Sequence, residues 1–173
     1  MKMKDSNVLL YMAQSLNAKI ARENYQEDFL SSLNWEEFLD FAEEIWCIVG
    51  RKTYEEVMDW DDYTFADVEA QCIVVSNNTE LNIEETFTLA NSPKDALEKA
   101  AEAGYEEVLL TGGAGLNSSF LKEKLVDEII INVEPFILGK GIPVFSGENF
   151  EYRLEFKEVR KLKEGIVQLR YNI

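Results

Sequence analysis

The chain contains no histidine, only two cysteines and three prolines, and about half as many basic as acidic side chains. Without histidine there can be no Ser-His-Asp or Cys-His nucleophile and no histidine-ligated metal centre, so no metal is expected. Cys47 and Cys72 each lie inside an apolar run (Ile45-Trp46-Cys47-Ile48-Val49 and Cys72-Ile73-Val74-Val75), the setting of buried thiols in a reducing compartment rather than of a disulfide. The 17 basic against 33 acidic side chains leave a net charge of −16. Such a surface repels nucleic-acid phosphates and anionic lipid, so neither is expected as a partner. No N-terminal apolar stretch is long enough for a signal peptide or a membrane span, and a cytoplasmic location is expected. Internal repeats, low-complexity tracts and Pro/Gly/Ser linkers are also missing, so residues 1–173 read as one domain.

What is present is a core. Apolar residues make up 46% of the chain and aromatics 12%, enough for a globular fold. Asn7 to Ala13 reads as a first buried strand and Ser15 to Asp28 as a polar loop. Asn34 is placed as an N-cap, with Glu36 and Glu37 in the first turn and Trp35, Phe38, Leu39 and Ala42 forming an apolar face. Trp46 to Val49, Cys72 to Val75, Thr86 to Ala90 and Val108 to Thr111 read as further strands, short and continuously apolar as buried parallel strands are. Arg51 to Met58 reads as a helix. So does the segment through Ala103 that Ser92 caps, with Pro93 at its first position and Gly104 as its stop. Asn117 to Leu125 reads as a helix and Glu128 to Val133 as a strand. The tail alternates on either side of Glu164-Gly165, an antiparallel hairpin. This order implies an α/β sheet, parallel in its centre and closed by antiparallel strands.

The chemistry gathers where strands end. Thr111-Gly112-Gly113-Ala114-Gly115-Leu116 lies between an apolar strand and a helix, where glycines let backbone N–H groups approach a phosphate. Gly50-Arg51-Lys52-Thr53 opens a helix with a guanidinium and a hydroxyl, suited to a phosphate. Ser76-Asn77-Asn78 offers short polar groups to a ribose. With Ala13-Gln14-Ser15-Leu16-Asn17 they describe an extended nucleotide laid across one sheet edge. As a competing reading, Gly113-Ala114-Gly115 opens a dinucleotide fingerprint with Glu134 gripping the ribose, but Ser118 occupies the third glycine's place.

These segments resemble the dihydrofolate reductase fold family, in particular its riboflavin-biosynthesis reductase branch. Gly50-Arg51-Lys52-Thr53 resembles the Gly-Arg-x-Thr motif, and Leu110-Thr111-Gly112-Gly113 with Leu116 resembles the glycine-pair motif. Leu125 to Ile129, Pro135 and Gly139 to Phe145 resemble the branch's downstream signature, and Ala13 to Ala21 its opening. The resemblance covers essentially the whole chain. It implies a dihydrofolate reductase-like three-layer α/β fold and NADPH as cofactor. By the same resemblance Gly50, Arg51 and Thr53 meet the phosphates, and Ser76 and Asn77 the adenosine ribose and its 2′-phosphate. Thr111 belongs to the same cofactor site, Gly112, Gly113, Gly115 and Leu116 pass beneath the nicotinamide half and the pyrophosphate, and Ala13 and Ile20 line the nicotinamide pocket.

The implied reaction is hydride transfer from NADPH to a pterin-like or pyrimidine-like small molecule, and a homodimer is implied as well. The resemblance places Asn17 and Asn34 at catalytic positions, where the family's usual residues are acidic. An amide cannot act as an acid, which turns attention to Asp28, Glu36 and Glu37, to water, or to a substrate needing no protein acid. The helix from Phe38 to Ile45 lacks the arginine of the riboflavin-type enzyme, which argues against a ribose-phosphate substrate. Trp35 and Phe38 are candidates to stack on a planar substrate. Trp60 reads as a surface or dimer-contact aromatic. A catalytically inactive relative that binds a nucleotide or a partner protein is the alternative.

Overall fold

The computed structural model describes residues 6–43, 45–61 and 72–173. The strands are β1 (Asn7–Gln14), β2 (Lys19–Ala21), β3 (Trp46–Gly50), β4 (Cys72–Val75), β5 (Phe87–Ala90), β6 (Glu107–Leu110), β7 (Glu128–Val133), β8 (Ile142–Pro143), β9 (Glu155–Lys161) and β10 (Val167–Asn172). The helices are α1 (Leu33–Ala42), α2 (Arg51–Met58), α3 (Pro93–Glu102) and α4 (Ala114–Lys122). Eight strands form one sheet in the order β5-β4-β3-β6-β1-β7-β10-β9, and β2 pairs with β8 in a small second sheet. β5, β4, β3, β6, β1 and β7 run parallel, whereas β10 is antiparallel to β7 and β9 to β10. The expected α/β sheet with a parallel centre and a C-terminal antiparallel hairpin is thus observed.

Residue alternation along the central strands divides the core into two layers. Leu10, Ile48, Ile73 and Leu110 face α3 and α4, where they meet Ala96, Ala100 and Phe120. Leu9, Cys47, Val49, Val74, Leu109 and Ile130 face the other way, toward Phe38 and Ala42 of α1 and Tyr54 and Val57 of α2. Helices on both faces make a three-layer arrangement. Cys47 and Cys72 sit opposite one another on β3 and β4 as buried free thiols. No described helix is long and apolar enough to cross a membrane.

Three local readings are corrected. Asn34 is not an N-cap: that position is Ser32, whose side chain makes no capping bond, and Asn34 lies inside α1 with its amide turned toward the sheet. The loop after β1 contains β2, which β8 recruits from more than 100 residues away. α4 starts at Ala114, inside the glycine segment, and ends at Lys122. Its glycine-flanked first turn therefore sits directly on the end of β6.

The C-terminal hairpin turns through Glu164 and Gly165, both at positive φ. It is clamped to the parallel centre by Glu128 of β7. The buried Glu128 carboxylate accepts from Lys157 of β9 at 2.5 Å and from Arg170 of β10 at 2.7 Å. Burial alone would raise this carboxyl, but the two cations outweigh it and hold it below its ordinary value near 4.5. A depressed carboxyl stabilises the fold above its unfolded value and loses that contribution as pH falls through the folded one. Glu128→Gln is expected to cost about 1.5–3 kcal/mol at pH 7, the range for hydrogen bonds to charged groups. It should also flatten the acid limb of stability below about pH 4.5, both measured by urea denaturation across pH.

Candidate functional site

β1, β3, β4 and β6 run in one direction, so the loops that follow them share one edge of the sheet. Two cavities open along that edge. The first, about 1080 Å³, lies over the ends of β3, β4 and β6 and is lined by Gly50 to Thr53, Ser76 to Asn78 and Gly113 to Leu116. The second, about 800 Å³, lies over the end of β1 beneath α1 and is lined by Ala13, Asn34, Trp35, Phe38, Trp60 and Thr111 among others. Ile20, Glu27, Thr53 and Val57 line both and form the wall where the cavities meet.

The first cavity has the features of an anion cradle. Gly50 and Gly113 are the N-cap residues of α2 and α4, neither helix carries a side-chain cap, and neither first turn holds an acidic residue. The orphan N–H groups of both helices and the positive ends of their dipoles are left for a ligand. The two starts are held together because the Gly50 N–H donates to the Gly112 carbonyl at 2.8 Å. That approach needs glycine on one side: Gly112 has φ +88°, and a Cβ there would lie 3.0 Å from the Met12 methyl. A Cβ on Gly113 would approach the Thr53 hydroxyl to 3.2 Å, whereas one on Gly115 would meet nothing within 4 Å. Arg51 lines this cavity with its guanidinium on Glu55 at 2.9 Å. Glu56 and Glu123 also line it, so an incoming phosphate must draw Arg51 from its carboxylate partner. Ser76 is buried, and its hydroxyl accepts from the Asn78 N–H at 3.0 Å.

The second cavity rests on a buried polar network. The Asn34 amide donates to Glu134 at 2.5 Å and to the Ser31 carbonyl at 3.2 Å, and its oxygen accepts from Asn132 at 3.0 Å. Asn132 also donates to the Tyr11 hydroxyl at 2.9 Å, and Gln168 donates to Asn132 at 3.0 Å. Asn132 and Gln168 are completely buried. Tyr11 donates to the Asn34 carbonyl, and burial, with Glu37 adding, pushes its phenol far above the ordinary value. The roof is aromatic, with Trp35 5.0 Å from Phe38 and 6.4 Å from Trp60 between ring centroids.

The structure brings most of the expected residues together. Gly50, Arg51, Thr53, Ser76, Asn77, Gly113, Gly115 and Leu116 line the first cavity, Ala13, Thr111, Asn34, Trp35 and Phe38 the second, and Ile20 both. Asn17 and Gly112 line neither. Asn17 instead fastens two loops: its amide donates to the Leu138 carbonyl at 2.6 Å and its oxygen accepts from Ser15 and from the Leu138 N–H. Of the carboxylates considered in place of Asn34, Asp28 is engaged by Arg22, Glu37 is reached by Gln168, and Glu36 lines neither cavity. Trp60 is a wall of the second cavity; of the acidic stretch that carries it, Asp59 to Asp62, the last residue lies outside the described residues. Glu134 grips Asn34 and the Ser31 N–H rather than a ribose site.

Sequence reading missed Glu27, which carried no motif and stood in what read as a polar loop. Burial, reinforced by the charge of Glu56, pushes its carboxyl up to about 7. Among the described residues no acidic or thiol cluster could hold a metal ion.

Residues 6–168 match the family model described as the RibD C-terminal domain. The chain belongs to that family and shares its fold. It is 31% identical to YwjB of Bacillus subtilis, an uncharacterized protein, over 96% of this chain and 98% of that one. It is 37% identical to the riboflavin biosynthesis protein RibD of Corynebacterium ammoniagenes over 41% of this chain and 20% of that one. Among solved structures, a pyrimidine reductase-like protein of Corynebacterium diphtheriae superposes with a TM-score of 0.76 at 12% identity, covering 96% of this chain and 91% of that one. A diaminohydroxyphosphoribosylaminopyrimidine deaminase/5-amino-6-(5-phosphoribosylamino)uracil reductase of Thermotoga maritima superposes with a TM-score of 0.75 at 18% identity. That match covers 98% of this chain and 57% of the other.

The Asn34 contacts generate a test. Asn34→Asp removes the donor to Glu134 and sets two carboxyls against each other, so one must hold a proton and its value in the folded protein rises. A raised carboxyl makes stability fall as pH rises. The variant is expected to lose about 2–4 kcal/mol at pH 8 and to recover part of that at pH 5, measured by urea denaturation at both values.

Proposed function

We propose that the protein is an NADPH-dependent reductase that transfers a hydride to a small planar heterocycle of the pterin or pyrimidine class. The observation that carries this reading is the pair of adjoining cavities. One presents two uncapped helix N-termini with Arg51 and a glycine cradle, and the other presents a polar floor under an indole roof. A dinucleotide is the ligand whose parts suit this order. Its diphosphate fits the starts of α2 and α4, and its adenosine end lies toward Ser76 and Asn77. Its ring end lies toward Ile20 on the common wall and toward Ala13 and Thr111 of the second cavity. The bound dihydronicotinamide would supply the hydride; the chain's own residues bind, orient and exclude water.

The lining of the second cavity narrows the substrate. Among the described residues its charged groups are Glu27, Asp28, Asp59 and Asp61, with no lysine or arginine. A phosphorylated substrate would enter a field of carboxylates without a cation to hold it. An unphosphorylated heterocycle, neutral or positively charged, stacks on Trp35 and Phe38 at no such cost. The floor beneath it is preorganised, because Asn34 is fixed by three hydrogen-bond partners. A relative that binds a nucleotide without turnover is the competing reading, and the amides at Asn17 and Asn34 favour it.

Calorimetry with NADPH, NADH and ATP tests the cofactor assignment. Micromolar or tighter binding with NADPH preferred is expected, and Arg51→Ala should weaken it by about 1.5–3 kcal/mol. Absence of NADPH binding, or an unchanged affinity in the variant, would contradict the assignment.

A further inference from the structure

Reduction of a C=N bond requires a hydride at carbon and a proton at nitrogen. The floor of the second cavity does not provide that proton. Asn34 is an amide whose N–H groups are spent on Glu134 and Ser31. Tyr11 is held far above neutrality by burial, with its O–H on the Asn34 carbonyl. Glu134 is committed as an acceptor to Asn34 and to the Ser31 N–H. Among the carboxylic acids of the lining, Asp28 is bound by Arg22 through both oxygens and kept below its ordinary value by that bond. Asp59 and Asp61 line the second cavity only.

One carboxyl stands where the two cavities join. We propose that Glu27 is the catalytic proton donor of this site, because its half-buried side chain borders both cavities at their common wall and no described residue holds it in a hydrogen bond or ion pair. This rests on the reductase reading, in which the dihydronicotinamide and the substrate ring meet at that wall. The hydride passes to the C=N carbon and the dinucleotide is oxidised. The Glu27 O–H bond breaks, its proton goes to the nitrogen, and the resulting carboxylate is reprotonated from water.

Position and charge suit the role. A general acid works best when its proton affinity lies near the working pH, and burial with the Glu56 charge brings the Glu27 carboxyl up to about 7. The other charged groups around the first cavity are Arg51, Lys52, Glu55 and Glu123; those around the second are Asp28, Asp59 and Asp61. Arg51 and Asp28 are each paired elsewhere, with Glu55 and Arg22. The field at the junction is therefore predominantly acidic and favours the protonated form. A dinucleotide seated against Glu27 removes further water and adds phosphate charge, which raises its proton affinity again.

The test needs no substrate. NADPH binding is measured by calorimetry at pH 7.5 in two buffers of different ionisation enthalpy, which reports protons taken up per NADPH bound. The wild-type protein is expected to take up a substantial fraction of a proton. Glu27→Gln should bind NADPH with none, and Glu27→Asp should restore part of the uptake. Glu56→Gln should move the midpoint of uptake to lower pH, a shift that a merely structural role for Glu27 would not produce. NADPH binding without proton uptake in the wild type, or equal uptake in Glu27→Gln, would overturn the assignment while leaving the reductase reading intact. No NADPH binding by the wild type would overturn both.

Discussion

The site depends on the approach of two glycine turns. The Gly50 N–H reaches the Gly112 carbonyl between the ends of β3 and β6, and this bond places the starts of α2 and α4 side by side. A side chain at Gly112 would press on Met12, and the residue's positive φ disfavours any L side chain. Because both helices begin there without side-chain caps, the backbone supplies donors at a place where the net charge of −16 would otherwise repel an anion. Short-range N–H groups at low local dielectric outweigh a diffuse, salt-screened surface charge. The acidic surface is thus compatible with the anion site proposed for this cleft.

The rest of the fold holds that edge in place. Leu10, Leu110 and Ile48 on one face and Leu9, Leu109 and Val49 on the other fix β1, β6 and β3 between two helical layers. The Glu128 clamp joins the C-terminal hairpin to β7. Gln168, in that hairpin, reaches Asn132 on β7 and through it Tyr11 and Asn34. The last strand of the chain therefore supports the floor of the second cavity, although it contributes nothing to the lining.

The legible parts of this architecture were those written in local pattern. Continuous apolar runs marked β1, β3, β4 and β6, and Ser92-Pro93 with Gly104 marked α3, as the capping bond from Asp95 N–H to Ser92 confirms. Glycines and short polar residues after those strands marked the cleft. Asn34 was misplaced because a residue type favoured at caps carries no sign of partners about 100 positions away, Asn132 and Glu134. β2 was missed because three residues become a strand only when β8 pairs with them. Glu27 was invisible for a similar reason: its altered proton affinity comes from burial and from Glu56, and neither belongs to a motif.

In the proposed complex one extended dinucleotide spans three strand ends with its reactive ring at the junction of the cavities. Hydrogen–deuterium exchange with saturating NADPH tests it most directly. Coordinated protection of the amides in Gly50 to Thr53, Ser76 to Asn78 and Gly113 to Leu116 is the predicted result, together with protection of the loop carrying Glu27. Unchanged exchange in those segments, or protection confined to other faces such as the β9 edge, would contradict it.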